Sequence, residues 1–401
     1  MRFRSQLLWT LVIQGGGAAA VFGAVVLLGS TLGPQAQGLF SRAKTELEFI
    51  TALSLLGMPQ AVFFFVTSRR MSRASALRVT AMVGSLAAVA SLLYVGLTHS
   101  VDAVHLVMFA AASMAMVVHS MLRVLVLADA STRLFNTVTA VPQVALLLLV
   151  PVVVAAGSLA AWQVAAVFLV AFMFGSVFAW WRLSAHPAAA VDASASVTQS
   201  KDLVTYGAAA WSVALLNSAA SVLWLRHIES TLGLAAVGIF AMGLVFVQVI
   251  LTPINYAVPL LFKRWMQMPG AASAVARPAL ASGLATLLVI APLLVIQGLL
   301  PMPASFRAYA DLRDLKWTFG AVAVAEVVTR IAAVGANASG RPWAPAFAEL
   351  IRLGVLAMAV SIGFAALLPS MAAAWACGAT FAAFTVLVLA RPTPNLQELP
   401  R

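Results

Sequence analysis

The chain has a single cysteine, Cys377, so it forms no intramolecular disulfide and no cysteine-ligated metal site. Its five histidines, His99, His105, His119, His186 and His227, keep no metal-ligand spacing such as H-E-x-x-H. Charge is scarce: 9% of residues are charged, against about 25% in ordinary soluble domains. A nucleophile elbow, a phosphate-cradling glycine loop and a paired-carboxylate site are all missing. The longest external loop, 301–314, is too short for an independent catalytic domain. The sequence therefore does not read as an enzyme, and no catalytic residue, metal or cofactor is expected.

What the chain has in excess is apolar sequence. Hydrophobic residues make up 63% of its 401 residues, and the mean hydropathy is +1.01. The excess gathers into runs of roughly 20 residues, the length that crosses about 30 Å of hydrocarbon as a helix. Twelve spans are predicted, at 6–29, 43–66, 78–98, 104–128, 135–157, 159–181, 203–225, 235–260, 276–299, 315–336, 344–368 and 371–390. The fold class is thus an all-α polytopic membrane protein. A membrane β-barrel would need strands of about 10 residues with alternating polarity. The first apolar run exceeds the roughly 7–15 residues of a signal peptide's core, so it is expected to remain as a span.

The basic residues set an expected orientation. With a cytoplasmic N-terminus, fifteen of the twenty-four Lys and Arg fall on the cytoplasmic side, six outside and three, Arg123, Arg330 and Arg352, within spans. The positive-inside rule then puts both termini in the cytoplasm. The net charge of +12 is accounted for by anionic lipid headgroups, without nucleic acid as a partner. The polar stretch 183–202 reads as a cytoplasmic linker between a six-helix lobe at 1–182 and a second at 203–401, the latter with a short cytoplasmic tail.

The two halves repeat. Ser30 to Phe40, S-T-L-G-P-Q-A-Q-G-L-F, returns two hundred positions later as Ser230 to Phe240, S-T-L-G-L-A-A-V-G-I-F. The register holds onward, with Ile50 answering Ile250 and Pro59 answering Pro259. Six spans is an even number, so span 7 enters the membrane in the direction of span 1. The lobes are then parallel repeats about an axis along the membrane normal.

The element L-G-x-x-A-x-G-[LI]-F, at Leu32–Phe40 and Leu232–Phe240, joins two spans and is closed in the second copy by Lys263-Arg264. It resembles the polysaccharide flippases of the multidrug/oligosaccharidyl-lipid/polysaccharide exporter superfamily. The resemblance implies two bundles rocking about a central cavity lined by spans 1, 2, 7 and 8. It implies as substrate an oligosaccharide on a polyprenyl diphosphate, carried from the cytoplasmic to the external leaflet of a bacterial inner membrane for surface polysaccharide synthesis. Membrane lipids, a polysaccharide polymerase and glycosyltransferases are the implied neighbours. One departure stands out: many relatives carry an acid where this chain has Trp224, which puts a cation-coupling role for that position in doubt. A drug or metabolite exporter coupled to H+ or Na+ is the alternative within the superfamily. A membrane glycosyltransferase or polymerase is disfavoured by the short external loops.

Ionisable groups within spans are functional candidates because they are costly there. Glu326, Arg330, Glu349 and Arg352 occupy spans 10 and 11. They read either as a salt-bridged cluster or as a site where Glu326 or Glu349 takes up a coupling ion. His119 and Arg123 stand at i,i+4 on span 4; Arg123 either snorkels to headgroups or meets the diphosphate, for which guanidinium geometry suits. Arg42 and Lys44 open span 2 and Arg226 closes span 7, so these cations are candidates to ring the external mouth of the implied cavity. Gln14, Asn217, Gln248 and Asn255 lie deep in the four implied cavity spans. As buried amides they either bridge helices or bind sugar hydroxyls. Pro59 and Pro259 are expected to remove backbone hydrogen bonds and bend their helices at matched places, which makes them hinge candidates.

Overall fold

The computed structural model describes residues 3–68, 70–98, 102–129, 132–185, 200–266, 275–301, 303–339 and 341–390. Most of the expected linker and all of the C-terminal tail lie outside them. Among the described residues there are helices and no strands. They are α1 (Phe3–Leu55), α2 (Met58–Thr67), α3 (Arg73–Thr98), α4 (Ala103–Asp129), α5 (Thr132–Ala155), α6 (Ala161–Ser184), α7 (Ser200–Leu232), α8 (Leu234–Met266), α9 (Ala276–Leu299), α10 (Leu312–Ala338), α11 (Ala344–Ser361) and α12 (Leu368–Leu389). A short 3₁₀ turn, Ala304–Tyr309, precedes α10.

Among the described residues, eleven helices are long and apolar enough to cross a membrane, and the first of these is two spans in one. Its apolar part, Leu8–Leu55, runs for 48 residues, about 72 Å at 1.5 Å per residue. Gly33 leaves the helical region there, at φ 80° and ψ −177°. Such a conformation is open to glycine and strained for residues with a Cβ. Two hundred positions on, Gly233 stands at φ 85° between α7 and α8. The repeated L-G is therefore the same backbone corner made twice, and counting α1 as two spans gives the twelve expected.

The corner also moves a predicted boundary. Span 2 begins at position 34, directly after Gly33, rather than at 43, and α7 runs on to Leu232 rather than ending at 225. The charges at 42–48 and 226–229 had marked the ends of the apolar runs. In the structure they sit inside helices, where Arg42 and Glu46 are paired with Glu229 and Arg226 of the facing helix.

Span 2 is interrupted further along, where Leu56 at φ 49° and Gly57 at φ 70° separate α1 from α2. Pro59 follows in the first turn of α2, a position where proline's missing N–H is no loss. The break is thus made by Leu56 and Gly57 rather than by a proline inside a helix. In the other copy α8 continues as one helix from Leu234 to Met266, so the break at Leu56 and Gly57 has no counterpart there.

Two compact units are distinguished, Met1–Ala241 and Met242–Arg401, with the boundary inside α8. In the first, α4 packs on α3 and α6, while α1 packs on α5 and α7. Its interior includes Val62, Val117, Met121, Leu125 and Ala179. In the second, α10 is the central helix, flanked by α9, α11 and α12. Its small residues, among them Gly320, Ala323, Ala332 and Gly335, are buried. The outward faces are apolar: Leu280, Leu284, Leu288 and Leu299 of α9 are exposed, as a face turned to lipid must be.

Candidate functional site

The repeated motif lies on a seam in the first unit. A Cβ on Gly38 would strike the carbonyl of Leu234, and a Cβ on Gly238 would strike the carbonyl of Pro34. The two copies thus touch reciprocally, backbone to backbone, as two surfaces related by a two-fold axis do. At the other end of α1, Gly57 meets Gly207 of α7 in the same way. Nearby, the Trp211 indole N–H donates to the carbonyl of Leu53 at 3.3 Å. Only residues without a Cβ permit this approach.

Between the two glycine contacts lies a charged crossing. Arg42 pairs with Glu229, and Arg226 pairs with Glu46 at 3.1 Å. Each pair joins the second arm of α1 to α7, in opposite polarity. Arg42 also approaches Glu46 at 4.0 Å along its own helix. The Arg226 guanidinium lies 5.1 Å from the centre of the Tyr94 ring of α3, within cation–π range. Glu46 is only 2% exposed. Arg42 and Arg226, expected as a ring of cations, are therefore neutralised by carboxylates of the facing helix. Lys44 stands apart and pairs with Glu48 at 2.7 Å on the same helix.

A neutral polar bridge links α1 to α5. The Gln14 amide donates to Oδ1 of Asn136, and the Asn136 amide donates to the Thr10 hydroxyl at 2.8 Å. All three side chains are buried, so Gln14 acts as a tie between helices. His119 is also buried, edge-on to Phe172 at 5.4 Å. Gly175 makes room for it: a Cβ there would lie 2.7 Å from the imidazole. Arg123 lies over the Phe135 ring at 5.5 Å.

In the second unit the expected charge cluster is assembled. Arg352 of α11, 2% exposed, contacts Glu326 of α10 at 2.6 Å and Glu349 at 3.5 Å. Arg330 lies 3.9 Å from Glu326 and donates to the side-chain oxygen of Asn255 on α8 at 2.5 Å. Asn255 therefore joins a helix-bridging network. Gln248 is exposed and Asn217 half-buried. Their backbone carbonyls accept from Thr252 at 2.8 Å and from Ser221 at 3.0 Å. The side chain of Pro259 lies outside the described residues. Among the described residues, no group of three or more His, Cys, Asp or Glu could hold a metal ion.

Three participants were missed at the level of sequence: Asn136, Tyr94 and the buried role of Glu46. Asn136 carried a signal, an amide in an otherwise apolar helix. For Glu46 the i,i+4 spacing to Arg42 was visible, but its partner 180 residues away was not.

No known family model matches the chain, and no curated protein is detectably similar to it in sequence. Solved structures are similar over nearly its whole length. An inward-facing multidrug resistance MATE family transporter of the MOP superfamily matches at TM-score 0.65 and 14% identity, covering 96% of this chain and 97% of that one. The chain has the MATE transporter fold. An outward-facing structure of such a transporter matches at TM-score 0.68 and 14% identity, over 96% of this chain and 94% of that one. A MOP superfamily transporter from Pyrococcus furiosus, described as having a binding pocket of reversed polarity, matches at TM-score 0.70 and 14% identity with the same coverage. With this fold, the repeated glycine corners are the joints between spans 1 and 2 and between spans 7 and 8.

Proposed function

We propose that the chain is an alternating-access flippase that moves polyprenyl-diphosphate-linked oligosaccharide from the cytoplasmic to the external leaflet. The observation that carries this reading is the whole-chain likeness to transporters in both inward- and outward-facing forms. The resemblance of the repeated motif to polysaccharide flippases supplies the substrate class. The setting is a bacterial inner membrane with both termini cytoplasmic, and a polymerase and glycosyltransferases work alongside. The physical task fits: a diphosphate and its sugars cannot cross hydrocarbon unaided, because burying unpaired charge is prohibitive. Gln248 and Asn217, whose side chains are not fully buried, are suited to sugar hydroxyls. Arg42 and Arg226 can meet the diphosphate when they part from Glu229 and Glu46, and Arg123 with His119 is a second cationic place for it.

The second reading is a cation-coupled exporter of drugs or metabolites, favoured by the likeness to multidrug resistance transporters. In that reading Glu326 or Glu349 exchanges H+ or Na+. Reconstituted vesicles separate the two. Translocation of a fluorescent polyprenyl-diphosphate oligosaccharide, independent of an ion gradient, is the expected result. Cation-dependent dye efflux without lipid movement would establish the exporter instead.

A further inference from the structure

We infer that the crossed ion pairs Arg42–Glu229 and Glu46–Arg226 are a latch that holds α1 against α7 at the Gly33 and Gly233 corners, and that α1 and α7 part there during the working cycle. The inference rests on the reading of the chain as a transporter.

Three features of the seam lead to it. The first is the contact itself. Just past the corners, Gly38 of α1 and Gly238 of α8 meet backbone to backbone, so the α1–α7 seam adjoins a contact that holds by close approach and not by charge. The second is the polarity of the crossing. Each helix contributes one Arg and one Glu, and each charge finds its opposite on the other helix. Two oppositely directed pairs resist both parting and sliding, since a slide that shortens one stretches the other. The cluster is neutral as a whole, so closing it buries no net charge.

The third feature is the placement of the ends. At the far end the Gly57–Gly207 contact and the Trp211–Leu53 hydrogen bond hold the same two helices. The break at Leu56 and Gly57 lies beside that contact. It supplies backbone able to turn while α2 stays in place, as hinge residues do. The latched end and the pivoted end are thus different parts of one seam. Arg42, Arg226 and Glu229 keep 17%, 32% and 25% exposure, so water reaches them as the seam parts and the separated charges are solvated. A cluster buried on all sides would not release so readily.

Thr31 and Thr231 are equivalent positions of the repeat and both are exposed, so spin labels there report the distance between the corners. The host is the full chain with C377S and T31C/T231C, in phospholipid vesicles. In the variant R42Q/E46Q/R226Q/E229Q no charge is left unpaired, so folding is retained while the attraction is lost. The long-distance population is expected to rise by roughly three- to thirtyfold, the range carried by two partly exposed pairs. The reversal R42E/E46R/R226E/E229R rebuilds both pairs and is expected to restore the short distance. An unchanged distribution in the glutamine variant overturns the latch, as does a reversal variant that stays long. The distances need no substrate. A latch that opens while vesicles move neither lipid nor dye therefore leaves the ion-pair latch standing and removes the transport reading.

Discussion

Two clusters of the same composition, two Arg and two Glu each, serve in different ways. In the second unit Arg352 sits at 2% exposure between Glu326 and Glu349 on neighbouring helices. Through Glu326 it is tied to α10, the most buried of the candidate spans among the described residues. In the first unit the partners are 180 and 187 residues apart, and three of the four keep appreciable exposure. A charge pair closed off from water is fastened, since separating it strands a charge in a medium that cannot solvate it. A pair at a seam that water can enter is a reversible contact. Burial, not composition, distinguishes the two.

The comparison breaks most visibly at Arg352. R352A removes the nearest cation from two buried carboxylates, leaving Glu326 with Arg330 at 3.9 Å, and is expected to destabilise by about 3–5 kcal/mol, seen as loss of monodisperse protein and a fall in melting temperature in detergent. If R352A melts like the parent, the second cluster is not a fastener. Next is the glycine seam: G38V places side-chain atoms against the Leu234 carbonyl, and overpacking of this kind costs about 1–3 kcal/mol. A longer Thr31–Thr231 distance should accompany that loss. At the crossing, E46Q/R226Q removes one pair without leaving a lone charge, and about 1 kcal/mol or less is expected; a loss as large as that of R352A would erase the distinction between the clusters. The smallest effect belongs to Lys44, whose partner Glu48 lies on its own helix. K44A should shift stability by no more than about 0.5 kcal/mol, as read by the same melting experiment.

Much of the fold was legible in the sequence. The number of spans followed from hydropathy, and the equivalence of Gly33 and Gly233 followed from the repeat. The ends of spans 2 and 7 were not legible, because a hydropathy reading stops at the first cluster of charge. Such a reading cannot tell that Arg42 and Glu46 are answered by Glu229 and Arg226. Pro59 was misplaced for a related reason: proline signals interrupted helix, but whether it interrupts or begins one depends on the φ of its predecessors. The cluster in spans 10 and 11 was easier to see, since Glu326–Arg330 and Glu349–Arg352 are spaced at i,i+4 and i,i+3.

The sequence by itself determined the solvent, the helical class and the repeated corner. These depend on local quantities: the apolar length that matches a bilayer, and a glycine at a backbone conformation that other residues avoid. The tertiary structure alone decided that Arg42 faces Glu229 and Arg226 faces Glu46, that Gly38 meets Gly238 and Gly57 meets Gly207, and that His119 fills the space left by Gly175. Each of these joins residues more than fifty positions apart. Their proximity is set by how whole helices pack, which no spacing along one helix encodes.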